Sequence, residues 1–536
     1  MKNKILIIIL SILCIYSCKQ QVKVNNNLKE EIVTIKGKIH NYQNTYKTGR
    51  FTYFDAITRT IEHKIISIDS LGKFNFSFKL IHPLYNSVFF EIADKNFTEF
   101  MIKPKTNYDV VIKEGKLIFE DKWEEINKQI STFNNELNKA LKDKLPKFKN
   151  INIKELSTTE YLNYQKEMEI EKLSFLTSYS KKNNLSKDVK SYLKSKLKYK
   201  SAHASITARF EYSQGFPKQK KILPKDFYKN IFNEYQITTF EDIQSRECID
   251  YIANIVTVLS NKDTTANNKF EFFKSFNFFS PTELDLLHKL FNDFKTVSKT
   301  TEYLKFLEKN RDMFVELNWR YNVHILLKNI NLLSSGLTKD LVISQGLEKY
   351  YFSNNLRPNN KEWKQIENLI DNQSILKYLK TESFKRTLAK ETKTVSNEDN
   401  IVISLEKIKE KYFNKYIGKV IYIDFYATWC GPCIEEIPYA KQMHKEFENK
   451  NVVFLNLCAK SKLEDWRNFK KKHELGGENY LLTDEEYFIL TNEYKVKGFP
   501  TYILLDKKGN VSEYNTLRPS SKISIYEKID NLILKE

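Results

Sequence analysis

The chain has 536 residues, enough for three or four domains at about 150 residues each. Its 41% hydrophobic and 14% aromatic content is ample for buried cores and excludes wholesale disorder, while 13 Gly and 11 Pro exclude collagen-like, low-complexity or all-turn β architectures, so much of the chain is expected to be helical. The formal charge of +20 lies almost wholly upstream of residue 401. Its lysines are scattered through Asn- and Ile-rich sequence without an arginine cluster, a basic-aromatic recognition motif or zinc-finger spacing, so they read as solvated helix faces, and no nucleic-acid partner is expected.

At the N-terminus, Lys2 and Lys4 precede the apolar run from Ile5 to Ile15. That run is too short for the ~20 residues of a membrane span but suits a secretory h-region. With Ser17 before Cys18, the segment resembles a bacterial lipoprotein signal, although Tyr16 departs from the usual small residue; Cys14 is a poorer candidate because bulky Leu13 precedes it. The resemblance implies a signal peptide over residues 1–18, lipid on Cys18 as the mature N-terminus, and a polar tether over residues 19–29. An uncleaved anchor or an ordinary secreted chain is the alternative, and both also leave the cytoplasm. No later segment is apolar enough to span a membrane.

Residues 30–118 read as a small β-sandwich. Phe74, Phe76, Phe78 and Leu80 alternate with polar partners at the period of a half-buried strand, and Asp69 to Gly72 is a turn signal separating them from the strand of Ile66 and Ile68. Further strands are expected at Val33 to Ile39, Val88 to Ile92 and Tyr108 to Ile112. From residue 119 to 395 the pattern is helical. Ser280, Pro281 and Glu283 form a capping-box signature ahead of an apolar face of Leu284, Leu287, Phe291 and Phe294. No phosphate loop, metalloprotease or serine-hydrolase motif occurs in this region; His324 reads as a packed core histidine and Cys248 as a small buried residue. Lys390 to Asn400 reads as a linker.

Beyond the linker, residues 401–536 alternate strand and helix, the pattern of an α/β domain: strands at Val420 to Phe425, Val452 to Leu457 and Thr501 to Leu505, and helices from about Cys430, near Leu463 to His473 and near Ser521 to Leu534. Of the six cysteines, only Cys430 and Cys433 are paired in sequence, as C-x-x-C. So short a loop adds little chain-entropy stabilisation, which argues for a working disulfide over a structural one. A bare C-x-x-C is also a metal-ligand spacing, but His444 and His473 supply no second paired motif, and no metal or cofactor is expected. Placed where a strand ends and a helix begins, Cys430 has its thiolate favoured by free backbone N–H groups and the positive helix end, and Cys433 follows one turn on.

The run from Val420 to Cys433 through Trp429, then Glu436 and Pro438, Gly498 to Thr501, and Leu505 to Gly509 together resemble a thioredoxin domain of the TlpA/ResA-like, exported thiol-disulfide oxidoreductase branch. The whole arrangement of signal, β domain, helical region and C-terminal α/β thioredoxin fold is similar to lipoproteins of the Bacteroidetes phylum. This resemblance implies Cys430 as attacking nucleophile, Cys433 as resolving thiol, Pro500 as the cis-proline that exposes backbone to an extended substrate, and Asp424 as a buried proton acceptor. It also implies Glu436 as a cavity glutamate, with a solvated acid as the alternative, and Trp429 and Phe499 as substrate-facing residues. Pro438 is expected only to kink its helix, and Cys458 to be a buried spectator.

The function so implied is extracytoplasmic disulfide exchange, with reduction of protein disulfides as the leading direction and isomerisation or oxidation as the enzymatic alternative. Partners would be exported proteins with thiols or disulfides, a membrane electron donor if the enzyme reduces, and the membrane itself through the N-terminal lipid, with the chain facing the periplasm. A peroxidase would need a Thr-x-x-Cys setting, and Thr428 lies only two residues before Cys430. The reading of a different class is a surface binding or scaffold lipoprotein with an accessory thioredoxin domain.

Overall fold

The computed structural model describes residues 28–43, 48–85, 87–92, 95–98, 100–144, 156–213, 226–262, 265–354, 356–391, 405–496 and 498–534. The signal, Cys18 and most of the tether lie outside these residues, as does the linker beyond Glu391; Lys390 itself belongs to the helix Gln373–Glu391. Two compact units divide the chain, one up to Ser396 and one from Asn397. Among the described residues no helix is long and apolar enough to cross a membrane.

Among its described residues the first unit opens with ten strands: β1 (Glu31–Ile39), β2 (Thr48–Phe54), β3 (Ile61–Ser67), β4 (Lys73–Leu80), β5 (Leu84–Tyr85), β6 (Val88–Ile92), β7 (Lys95–Phe97), β8 (Met101–Ile102), β9 (Asn107–Lys113) and β10 (Lys116–Phe119). They form two four-stranded sheets, ordered β10-β9-β1-β4 and β3-β2-β6-β7, and a two-stranded β5-β8 ribbon. The alternation along β4 is as expected, with Phe74, Phe78 and Leu80 buried and the lysines exposed. The turn before it is closed by Asp69, whose Oδ1 accepts from the N–H groups of Leu71 and Lys73 at 2.9 and 2.8 Å, while Gly72 takes the left-handed φ of 75°. Aromatic rings join the two sheets, Phe51 meeting Phe78 at 4.9 Å and Phe74 meeting Phe90 at 5.6 Å.

That core does not stop at the sheets. Trp123, Ile126, Ile130 and Phe133 of the helix Lys122–Lys144, and Val189, Tyr192 and Leu193 of the helix Lys187–Ser213, are buried in it. A second core gathers the helices Arg246–Asn261, Thr301–Asn329 and Leu337–Tyr350, and the β2–β3 turn enters it: Ala56 and Ile57 are fully buried there, and the Ala56 carbonyl accepts from Gln345 Nε2 at 2.9 Å.

The helix Pro281–Asn292 starts with the expected capping box, both hydrogen bonds of which are present. Its apolar face differs from expectation at one end: Leu287 and Leu290 are its buried residues, whereas Phe294 lies beyond Asp293, in a separate short helix, and is 62% exposed. Asp293 ends one helix and caps the next with its side chain, which breaks the periodicity that would have carried Phe294 inward. His324 is also corrected. It sits on an exposed position of its helix with its ring beside Phe272 at 5.0 Å, because the buried stripe passes through Tyr321, Val323, Ile325 and Leu326. Cys248 is fully buried, as expected.

The described residues of the second unit form one five-stranded sheet with helices packed on it. Its strands are β11 (Val420–Tyr426), β12 (Val452–Cys458), β13 (Glu478–Leu481), β14 (Thr501–Leu505) and β15 (Val511–Glu513), in the order β13-β12-β11-β14-β15. β11, β12 and β13 are parallel; β14 runs antiparallel to β11, and β15 to β14. Central β11 is covered on both faces, which explains its near-continuous apolar run. Ile421, Ile423 and Phe425 enter one core, Val420 and Tyr422 the other. By the two-residue period Asp424 shares the face of Val420 and Tyr422, a core position given to an ionisable side chain. Sequence periodicity missed β13, β15 and the helix Asp484–Glu493, whose segments are short or carry little amphipathic contrast.

Candidate active site

β11 ends at Tyr426, and the chain turns through Ala427, Thr428 and Trp429 into the helix Gly431–Glu446. The turn is pinned from the loop after β12. Ser461 Oγ accepts from the N–H and the hydroxyl of Thr428 at 3.0 and 3.1 Å, and the Lys460 carbonyl accepts from Trp429 Nε1 at 2.8 Å. Trp429 is thereby held in place while 66% exposed.

Cys430 is the N-cap residue of the helix, and its Sγ accepts from the backbone N–H of Cys433 at 3.2 Å. Pro432 in the first turn gives up an N–H that would have had no intrahelical partner. The two cysteines form a disulfide. Exposure does not tell them apart: Cys430 is 4% exposed and Cys433 5%. Their difference is electrostatic. Once the disulfide opens, Cys430 Sγ lies at the free N–H end of the helix, which favours its thiolate.

The peptide bond between Phe499 and Pro500 is cis, as the motif implied. The Phe499 ring stands edge-on to Trp429 at 5.9 Å and lies 5.6 Å from Tyr487, so three aromatic rings run side by side from the disulfide loop.

Asp424 lies beneath the helix, in a cavity it shares with Cys433, Glu436, Lys441, His444 and Asn456, among others; the cavity has room for about 30 Å³ of water-sized occupants. Asp424 is part-exposed as a residue, yet its Oδ1 is buried without a hydrogen-bond partner. Burial, and secondarily the nearby Glu436 carboxylate, push the Asp424 carboxyl up to about 8. Glu436 lines the same cavity, but both of its oxygens are engaged. Oε2 accepts from the Ser520 N–H at 2.9 Å and Oε1 from the Ser520 hydroxyl at 2.8 Å, with an Arg518 guanidinium nitrogen 3.9 Å away. Glu436 therefore ties the helix to the Pro519–Ser521 turn, whereas Asp424 near the disulfide keeps its Oδ1 without a hydrogen-bond partner. Pro438 lies within the helix. Cys458 is fully buried in the same small apolar cluster as Cys430 and Cys433, and burial pushes its thiol above the ordinary range, which suits a spectator.

Sequence reasoning missed Ser461, Lys460, Tyr487, Ser520 and His444. For the first four no local signal exists, because their roles depend on segments distant in the chain meeting in space. His444 did carry one: with Cys433, Ile437 and Ala440 it recurs at helical spacing on the cavity-lining face.

A Redoxin family model matches residues 400–529. The thiol-disulfide oxidoreductase ResA of Bacillus cereus is 30% identical over 96 residues, covering 18% of this chain and 54% of that protein. ResA of Geobacillus thermodenitrificans is 29% identical over 121 residues, covering 23% and 68%. A crystal structure from Bacteroides vulgatus, provisionally named a thiol-disulfide oxidoreductase, is 33% identical, covers 22% of this chain and 82% of that one, and has a TM-score of 0.21. The chain spans 54% to 63% of the length of the first curated relatives it matches.

Proposed function

We propose, from a C-terminal domain that belongs to the thioredoxin family of thiol-disulfide oxidoreductases, that this protein is an extracytoplasmic enzyme reducing disulfides of exported proteins. The observation that carries the reading is the Cys430–Cys433 disulfide at a helix N-terminus with a partnerless Asp424 oxygen in the cavity below. In the reduced enzyme the Cys430 thiolate attacks one sulfur of a substrate disulfide and the other leaves as a thiolate. Cys433 then gives its proton to Asp424 and attacks Cys430, closing the enzyme disulfide and releasing the second substrate thiolate. Atoms and electrons balance: the substrate gains two electrons and the enzyme dithiol loses them.

The Gly431-Pro432 spacer resembles that of reducing thioredoxins, with potentials near ~−270 mV, and not that of strong oxidants near ~−120 mV. Sustained reduction outside the cytoplasm needs a membrane electron donor. The basic, short-apolar leader ending at Ser17-Cys18 supports a lipid anchor and a periplasm-facing location. The two N-terminal sheets read as a small β-sandwich, continuous with the helices that complete its core. The test is an insulin-type reduction assay on the dithiol-reduced full chain. Turnover supports the enzyme, whereas an inert protein with an intact Cys430–Cys433 pair would favour the scaffold reading.

A further inference from the structure

We propose that His444 is the proton outlet of this site, a relay residue that receives the resolving proton from Asp424 through water in the cavity and passes a proton to solvent. The inference rests on the disulfide-exchange reading above and assigns a role to a residue that reading does not use.

Geometry brings the two groups to one cavity from different elements. On the helix, Cys433, Ile437, Ala440 and His444 line the cavity at alternating spacings of four and three, so it follows one helix face for about three turns from the disulfide. On the sheet, β11 and β12 pair Tyr422 with Phe454 and Asp424 with Asn456. The His444 ring stacks on Phe454 at 4.2 Å. It therefore sits one same-face step, about 7 Å of strand, from the residue beside Asp424.

Each end of this path has an unanswered polar atom. Asp424 Oδ1 and His444 Nδ1 are both buried without a hydrogen-bond partner. Three other polar groups of the lining are engaged: Glu436 with Ser520, Asn456 Nδ2 with the Gly476 carbonyl at 2.8 Å, and Lys441 with Glu474 at 3.0 Å. The 30 Å³ of room is enough for about two waters at roughly 10–15 Å³ each, which could bridge a gap of that length.

The groups facing His444 leave it neutral. Glu436 and Lys441 line the cavity from its own helix, Asp424 and Tyr426 from β11, and Phe454 and Asn456 of β12, Phe469, Leu475 and Gly476, the last packed against His444 Nδ1, add no titratable group. Burial alone pushes the imidazole down to about 4. A neutral ring relays by exchanging which nitrogen carries the proton and stores no charge. Cys433 Sγ–H gives its proton to the Asp424 carboxylate, the Cys433–Cys430 bond forms, and the substrate sulfur leaves with the electron pair of the broken bond. The Asp424 proton passes to cavity water, which protonates His444 Nδ1 as Nε2 releases its proton to solvent. The net change is one proton moved from Cys433 to solvent, with no added oxidant.

The test uses the full chain with a Cys430-linked mixed disulfide prepared in stopped flow. His444→Phe keeps the ring stack on Phe454 and removes both nitrogens. We expect unchanged first attack, resolution slowed about tenfold in weakly buffered solution, and recovery on adding imidazole. In an Asp424→Asn background, His444→Phe should cause no further slowing, since it acts only through Asp424. Resolution at the parent rate at every pH, or an equal slowing in both backgrounds, overturns the relay. Should His444→Phe not fold, nitrogen NMR of the parent decides. The His444 Nδ1 signal should shift as Asp424 titrates, and an unmoved signal overturns the proposal. A parent that never forms the mixed disulfide would instead refute the exchange reading.

Discussion

Asp424 and Cys433 line one cavity from opposite layers, the acid from central strand β11 and the cysteine from the first turn of the helix that covers it. The acid occupies a position that its strand neighbours Val420 and Tyr422 fill with buried side chains. A carboxyl there costs stability when ionised, and the same cost makes it a base near neutral pH.

Asp424→Asn should leave the first attack by Cys430 largely intact and retard resolution, with the defect changing across pH. It should also stabilise the disulfide form. The Asp424 carboxyl is raised from about 3.9 in the unfolded chain to about 8 in the fold. Between these values the native state holds a proton that the unfolded state has lost. Parent stability therefore falls as pH rises through that window, by up to about 1.4 kcal/mol per pH unit, and is level above it. The advantage of the Asn variant should grow over the same window; urea melts of both proteins from acid to alkaline pH measure it.

Glu436 makes a separable prediction. Its two hydrogen bonds to Ser520 should make Glu436→Ala destabilising by about 1–3 kcal/mol, with Glu436→Gln costing less. Since Glu436 helps hold the Asp424 carboxyl up, Glu436→Gln should shift the pH profile of resolution downward. An unchanged profile would show that the two carboxylates do not interact.

The β4 alternation, the capping box at Ser280 and the strand-to-helix setting of Cys430 were legible in sequence because each is a local pattern with a local cause. The continuity of the sheet core with Trp123 and Tyr192 was not, since Tyr192 is far from the strands in sequence and, although Trp123 follows β10 closely, the periodicity of neither helix names its partner. The same holds at the site. Asp424 could be placed on β11 by period two, but that Ser520 engages Glu436, or that Ser461 pins Thr428, depends on loops distant in the chain. Phe294 shows the converse failure, an apolar spacing extended through Asp293, which caps a new helix.

The exposed Trp429 and the half-buried Phe499 form an edge beside the disulfide. Phe499→Ala should raise KM for a protein disulfide several-fold while leaving reduction of a small aromatic disulfide nearly unchanged, because only the longer substrate reaches the row from Trp429 to Tyr487. Equal effects on both substrates would contradict recognition through this row.

Intact mass of the protein extracted from membranes should show lipid on an N-terminal Cys18. A soluble, unlipidated protein beginning elsewhere would remove the anchor without affecting the redox chemistry.

The most direct test of the central claim is covalent trapping. Cys433→Ser, exposed to exported proteins under non-reducing conditions, should accumulate mixed disulfides through Cys430 that the parent resolves, and Cys430→Ser should accumulate none. Trapping through Cys433 in the Cys430→Ser protein, or none in the Cys433→Ser protein, would contradict the assignment of Cys430 as attacking thiol and Cys433 as resolving thiol.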